Sequence, residues 1–174
     1  KEDLYNLKLS NNITQVSENV YRCIGDIACL DKKLIRFIKN KASISPLKRA
    51  RINFHDCDAD DLHEMIIAMT NDTIVEPHMH PCKKESFHVL EGIVRIGFLS
   101  VEGKVDKVIE LSNDGIQYYK LNKPFWHIVI PISEVCVIHE TTNGPFINNE
   151  SSVYSDWTVR RKNEIRKQVI NSKY

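Results

Sequence analysis

From Lys48 onward the chain alternates hydrophobic and polar residues in short runs. Ala50, Ile52 and Phe54 fall on one side of an extended segment, and Arg49, Arg51, Asn53 and His55 on the other. Further strand-like runs follow at Met65–Thr70, Ile74–His80, Ser86–Leu90, Ile93–Val101, Lys104–Leu111, Gln117–Leu121, His127–Ile132 and Val135–Glu140. Glu102-Gly103 reads as the turn of a hairpin between Ile93–Val101 and Lys104–Leu111. So many short strands at regular spacing predict an all-β barrel or sandwich. The period changes on both flanks. Leu34, Phe37 and Ile38 recur at helical spacing behind a capping residue, Asp31, so 31–41 reads as an amphipathic helix that Ser45-Pro46 terminates. A charged helix is expected over Arg160–Ile170, with Ile165 and Val169 as its apolar stripe. Within residues 1–30, Ile13–Cys23 is weakly strand-like. The expected layout is an extension over 1–30, a barrel with its leading helix over 31–160, and a charged helix and tail over 161–174.

Composition narrows the function classes. The 174 residues suit one domain, and 42% hydrophobic with 27% charged residues is ordinary for a globular chain. A net charge of +1 gives no global field that would favour nucleic acid or an anionic membrane. The basic residues Lys32, Lys33, Arg36, Lys39 and Lys41 fall mainly on the solvent side of their helix, and the acidic stretch Asp56–Asp61 follows. No apolar run approaches the roughly 18–20 residues that span a bilayer. Lys1–Ser10 contains no apolar core of a signal peptide. The five cysteines are odd in number and form no CxxC pair, which argues against a disulfide framework and a four-thiolate zinc site. A cytoplasmic protein with reduced thiols and a small-molecule ligand is the expectation, with no nucleic-acid or membrane partner.

The chemistry concentrates in His78-Met79-His80-Pro81-Cys82-Lys83-Lys84-Glu85, followed by Gly92. On a strand, residues i and i+2 share a face, so His78 and His80 project their rings to one side. Pro81–Lys84 can turn the chain and return the Glu85 carboxylate to the same point. A third imidazole, His127, follows the aromatic-rich Lys123-Pro124-Phe125-Trp126. Three imidazoles and a carboxylate suit one divalent transition metal (zinc, iron, nickel or manganese) and leave a position open for water or substrate.

The run HxHx4Ex6G matches the first cupin motif, and His127 falls where the second motif places a histidine. Arg49-Ala-Arg-Ile-Asn-Phe-His55, Leu62-His-Glu-Met-Ile-Ile67, Glu85-Ser-Phe-His-Val-Leu-Glu-Gly92, Leu121-Asn-Lys-Pro124 and His139-Glu-Thr-Thr-Asn-Gly-Pro-Phe146 resemble the WbuC family of cupin-fold metalloproteins. The resemblance covers roughly residues 31–160. It implies a single cupin barrel (a double-stranded β-helix, or jelly roll) with short flanking helices. It also implies a place in bacterial surface-polysaccharide (O-antigen or capsule) biosynthesis. Pro124 stands where the second motif usually has glycine, and Pro131 where asparagine is frequent.

Other residues carry alternatives. Cys82 could supply a thiolate ligand, in competition with Glu85. His88, three residues after Glu85, falls on the opposite strand face. One of His139 and Glu140 must face inward, and alternation alone does not say which; Glu140 would be the catalytic acid or base. Arg49 and Arg51, with Asn53, could clamp a phosphate or carboxylate, and Phe125 or Trp126 could stack on a sugar. The His127 strand is apolar on both faces, so a homodimer is expected to cover the outer one. A metal-dependent isomerase or epimerase acting on a sugar or nucleotide-sugar is the leading expectation. The alternatives are a non-catalytic module that binds a small anion and an iron-dependent oxygenase.

Overall fold

Leu34, Ile38 and Ala42, spaced by four, are the buried stripe of the first helix, α1 (Lys32–Ile44). Asp31 caps it by accepting hydrogen bonds from the Lys33 and Leu34 amides at 2.9 and 2.8 Å, which satisfies two of the donors that a helix start leaves free. Ser45 ends the helix in an extended conformation just before Pro46. In this computed structural model residues 9–10, 12–147 and 151–173 are described.

The strands are β1 (Leu9–Ser10), β2 (Ile13–Ser17), β3 (Val20–Cys23), β4 (Ile27–Ala28), β5 (Arg49–Asn53), β6 (Leu62–Thr70), β7 (Glu85–Glu91), β8 (Val94–Leu99), β9 (Val105–Leu111), β10 (Tyr118–Leu121), β11 (Trp126–Pro131) and β12 (Val135–Asn143). A second helix, α2 (Asp156–Asn171), begins one turn earlier than the charge pattern indicates. Seven strands form one sheet in the order β10-β7-β12-β6-β5-β3-β2, and three form another in the order β11-β8-β9. The segment before His80, expected as a strand from Ile74, makes ladder contacts only at His78 and Met79. Pro77 has no amide hydrogen to give a ladder.

Alternation sorts the side chains into layers. Met69, Phe87, Val89, Ile138 and Cys136 of the large sheet meet Val94, Ile96, Leu111 and Val129 of the small sheet in the central core. The opposite face of the large sheet (Ala50, Ile52, Ile66, Ala68, Val137) packs under α1. Leu99, Ile128 and Ile130 on the back of the small sheet are covered by Ile165 and Val169 of α2. Gly97 permits this approach, because a Cβ there would lie 2.5 Å from Val169 Cγ2. The apolar outer face of β11, from which a homodimer was expected, is therefore covered within the chain.

The motif glycine, Gly92, links β7 and β8 at φ 81°, with the Val135 carbonyl and Cys136 packed where a Cβ would sit. The position requires both the left-handed backbone and the missing side chain.

Candidate metal centre and its cavity

His78 and His127 pair across an antiparallel bridge, each amide donating to the other's carbonyl at 2.9 Å. This joins the first histidine segment to β11, and alternation brings His80 to the same side. The ligand atoms of His78, His80 and His127 all lie within 4.8 Å of one another. The three rings are oriented by their other nitrogens. Nδ1 of His78 is 2.8 Å from the Glu76 carbonyl, that of His80 is 2.5 Å from the Ser151 carbonyl, and that of His127 is 3.0 Å from the Phe125 carbonyl. A carbonyl only accepts, so each Nδ1 must carry the proton and each Nε2 presents a lone pair to the shared point. This is the arrangement in which metal-binding histidines are held.

Glu85, at the start of β7, turns its carboxylate to the same place. Oε2 lies 3.3 Å from His80 Nε2, and Oε1 lies 3.6 Å from His127 Nε2. Metal bonds of about 2.0–2.2 Å set neighbouring ligand atoms roughly 3–4 Å apart, so these spacings suit one ion. His127 Nε2 is buried without a hydrogen-bond partner, which is costly unless something else fills that role. The donor set thus fits a divalent transition metal.

The electrostatics follow the packing. Burial, and then the neighbouring His127, pushes His78 down to about 3. For His80 burial acts downward, but the Glu85 carboxylate prevails and raises it. Burial would raise Glu85, yet the neighbouring imidazoles of His127 and His80 hold it well below the usual carboxylate range. The Tyr119 hydroxyl also donates to Glu85 Oε1 at 2.6 Å.

A cavity of about 420 Å³ opens beside this cluster, lined by His78, His80, Glu85, Arg49, Arg51, Glu140 and Tyr154 together with apolar residues. The ambiguity at His139-Glu140 resolves through register. Glu140 lies opposite Met65 and Phe87 on the cavity face, while His139 points out toward Glu64, 3.3 Å away. Burial, and then the charge of Glu85, raises Glu140 to about 7, against the pull of Arg51, His80 and Lys83. His88 is exposed on the outer face, in register with His139. Cys82 is exposed in the turn and stands outside the histidine cluster.

Two of the expected ligand-binding side chains do not reach the cavity. Asn53 is only 3% exposed and is absent from the lining; its register partner on the neighbouring strand β3 is Arg22. Phe125 is 48% exposed and packs edge-on to Phe98, and its contribution is the carbonyl that orients His127. Trp126 packs against Trp157 at the start of α2.

Three contributors escaped sequence reasoning. Tyr119 alternates inward with Leu121, a signal available in the strand pattern. Ser151, whose carbonyl orients His80, and Tyr154, whose ring centre lies 6.2 Å from that of His78, belong to an irregular segment without periodicity. Val153 ties that segment to Met79 by a pair of backbone hydrogen bonds.

A family model described as a domain of unknown function, DUF6016, matches residues 30–111. No curated protein matches the chain in sequence. Among solved structures, the capsular polysaccharide assembling protein CapF from Staphylococcus aureus is similar with a TM-score of 0.52 and 19% identity, over 64% of this chain and 32% of CapF. The chain thus corresponds to about a third of CapF. An L-ribose isomerase from Cellulomonas parahominis is similar with a TM-score of 0.50 and 10% identity, over 66% of this chain and 72% of the isomerase. At these identities the likeness is one of fold. With its two facing sheets and short flanking helices, the chain is an all-β protein of the cupin fold.

Proposed function

We propose that the chain is a metal-dependent enzyme acting on a sugar or nucleotide-sugar intermediate of bacterial surface-polysaccharide assembly, by isomerisation or epimerisation. The observation that carries this reading is the common focus of three Nε2 lone pairs and the Glu85 carboxylate on the wall of a cavity that also holds Glu140. His78, His80, His127 and Glu85 are the residues that would hold the ion. When bound, a divalent metal supplies Lewis-acid polarisation of a carbonyl or hydroxyl oxygen.

The chain's own groups do the rest. Backbone carbonyls of Glu76, Ser151 and Phe125 fix the imidazoles, so no reorientation is needed as ligand enters. Glu140 has no hydrogen bond or salt bridge among the described residues, so its carboxylate is available to a ligand in the cavity. In this reading it takes a proton from the carbon beside a carbonyl and returns it, to the same carbon for epimerisation, or to the former carbonyl carbon for isomerisation, where the adjacent hydroxyl proton also passes to the former carbonyl oxygen. The substrate class comes from the resemblance to the WbuC family. The names of CapF and of L-ribose isomerase point to the same region of chemistry, through proteins alike in fold.

Incubation in D2O with a panel of hexose 6-phosphates and nucleotide-linked keto-hexoses, all of which carry a carbonyl, tests this. Deuterium should enter beside the carbonyl with the metal-loaded wild type and be lost with Glu140→Gln. Ligand binding without deuterium entry across the panel would favour the anion-binding module. Oxygen uptake by the iron-loaded protein would favour the oxygenase.

A further inference from the structure

We propose that Arg49 and Arg51 form an oxyanion clamp on the β5 wall of the cavity, so that the natural ligand carries a phosphate or carboxylate group. The clamp names the substrate class of the enzymatic reading above and rests on that reading only for where the remainder of the ligand lies.

The argument begins with register. Arg49 pairs with Met69 and Arg51 with Ile67, both on the face that lines the cavity, while Ala50 between them packs under α1. Two residues along a strand span roughly 6.6–6.8 Å, so the two guanidiniums rise side by side from one wall. Neither makes a hydrogen bond or salt bridge among the described residues. Around them the lining is largely apolar: Val20, Leu47, Ile67, Met69, Val129 and Ile138.

Both side chains stay exposed to solvent at the cavity, and two adjacent like charges there repel each other. Partial desolvation lowers the Arg51 guanidinium from its ordinary value, Glu140 and Asp58 oppose that shift, and Arg49 adds to it. The carboxylates do not balance the site. Glu85 is engaged by His80, His127 and Tyr119, and Glu140 stands on β12, two strands from β5. With a divalent ion in place, two arginines and the ion face two carboxylates, so the cavity carries an excess of positive charge.

A planar guanidinium presents paired N–H donors that match two oxygens of a carboxylate or phosphate, which a point charge does not. Tyr154, 59% exposed, adds an aromatic wall beside His78, suited to the apolar face of a sugar ring. A sugar that bears an acidic group satisfies both features. Phosphate esters and uronic acids share that chemistry, and the experiment separates them.

The test is calorimetric titration of the full chain with sodium phosphate, glucose 1-phosphate, glucuronate and glucose. Each is run on chelator-treated and on zinc-saturated protein, for wild type, Arg49→Gln, Arg51→Gln and Arg51→Lys. Circular dichroism melting verifies that each variant folds, and Arg49→Gln serves if Arg51→Gln does not. Chelated wild type should bind glucose 1-phosphate or glucuronate at least about tenfold more tightly than glucose, the size expected from charge-assisted hydrogen bonds. Each Arg→Gln change should remove that preference. Loss in Arg51→Lys as well assigns the fork geometry rather than charge alone. Preference for glucose 1-phosphate marks a phosphate ligand, and preference for glucuronate a carboxylate. Equal affinity for glucose, wild-type affinity in both glutamine variants, or no oxyanion binding would overturn the clamp. So would binding that requires zinc and ignores the arginines, because the anion would then sit on the ion. If zinc fails to bind while the arginine dependence persists, the metal reading falls and the clamp stands.

Discussion

At the scale of single residues, the candidate centre depends on groups that point at one another rather than on the histidines alone. Tyr119 shows this. Its hydroxyl donates to Glu85 Oε1 at 2.6 Å in a buried setting, where a phenol needs a partner. The contact occupies one oxygen of the carboxylate and leaves Oε2 toward His80. Tyr119→Phe should therefore weaken zinc binding by about 10–100-fold, the usual consequence of losing an outer partner of a ligand. Competition titration against a chromophoric chelator measures it, with the melting temperature of the chelated protein as the control for structure. Unchanged zinc affinity would remove Tyr119 from the site. The histidines and Glu85 were legible because alternation and a short turn fix their directions within one run of sequence. Tyr154 and Ser151 were not, because an irregular segment gives no period from which a direction can be read. Asn53 misled for a different reason. Alternation puts it on the face of Arg49 and Arg51, yet it is buried, and its register partner Arg22 belongs to β3, a strand whose sequence pattern is weak.

At the scale of elements, hydrophobic periodicity located α1 and most strands, and it placed Ile165 and Val169 on the buried stripe of α2. It did not indicate where that stripe would dock. An apolar outer face on β11 can be covered by another molecule or by a helix nearly thirty residues further along the chain, and strand pattern is the same in both cases. Here α2 covers it, with Ile165 fully buried against Leu99, Ile128 and Ile130. Ile165→Ala should cost about 2–5 kcal/mol, the range for emptying a core position of this size. Urea denaturation measures this, and a change below 1 kcal/mol would mean that α2 contributes little to holding the small sheet. The segment joining β12 to α2 has a second task. It runs past Met79 and orients His80 through the Ser151 carbonyl, so docking of α2 and placement of the candidate ligand share one stretch of chain.

At the scale of the whole molecule, two sheets face each other, one helix backs each, and a cavity beside the histidine cluster collects charged side chains from several strands. Its histidines, His78 and His80, come from the segment before β7, Glu85 from β7, Glu140 from β12 and the arginines from β5, and the buried His127 of β11 completes the histidine cluster beside it. The account stands on the claim that this convergence holds a metal ion. Elemental analysis of untagged protein, purified without added metal and then titrated with zinc, tests it directly in wild type and in His80→Ala. The account predicts close to one equivalent of transition metal in wild type, present at purification or taken up on titration, and its loss in His80→Ala with the fold retained by circular dichroism. A wild type that carries no metal and takes up none, or a His80→Ala protein that retains a full equivalent, would contradict it.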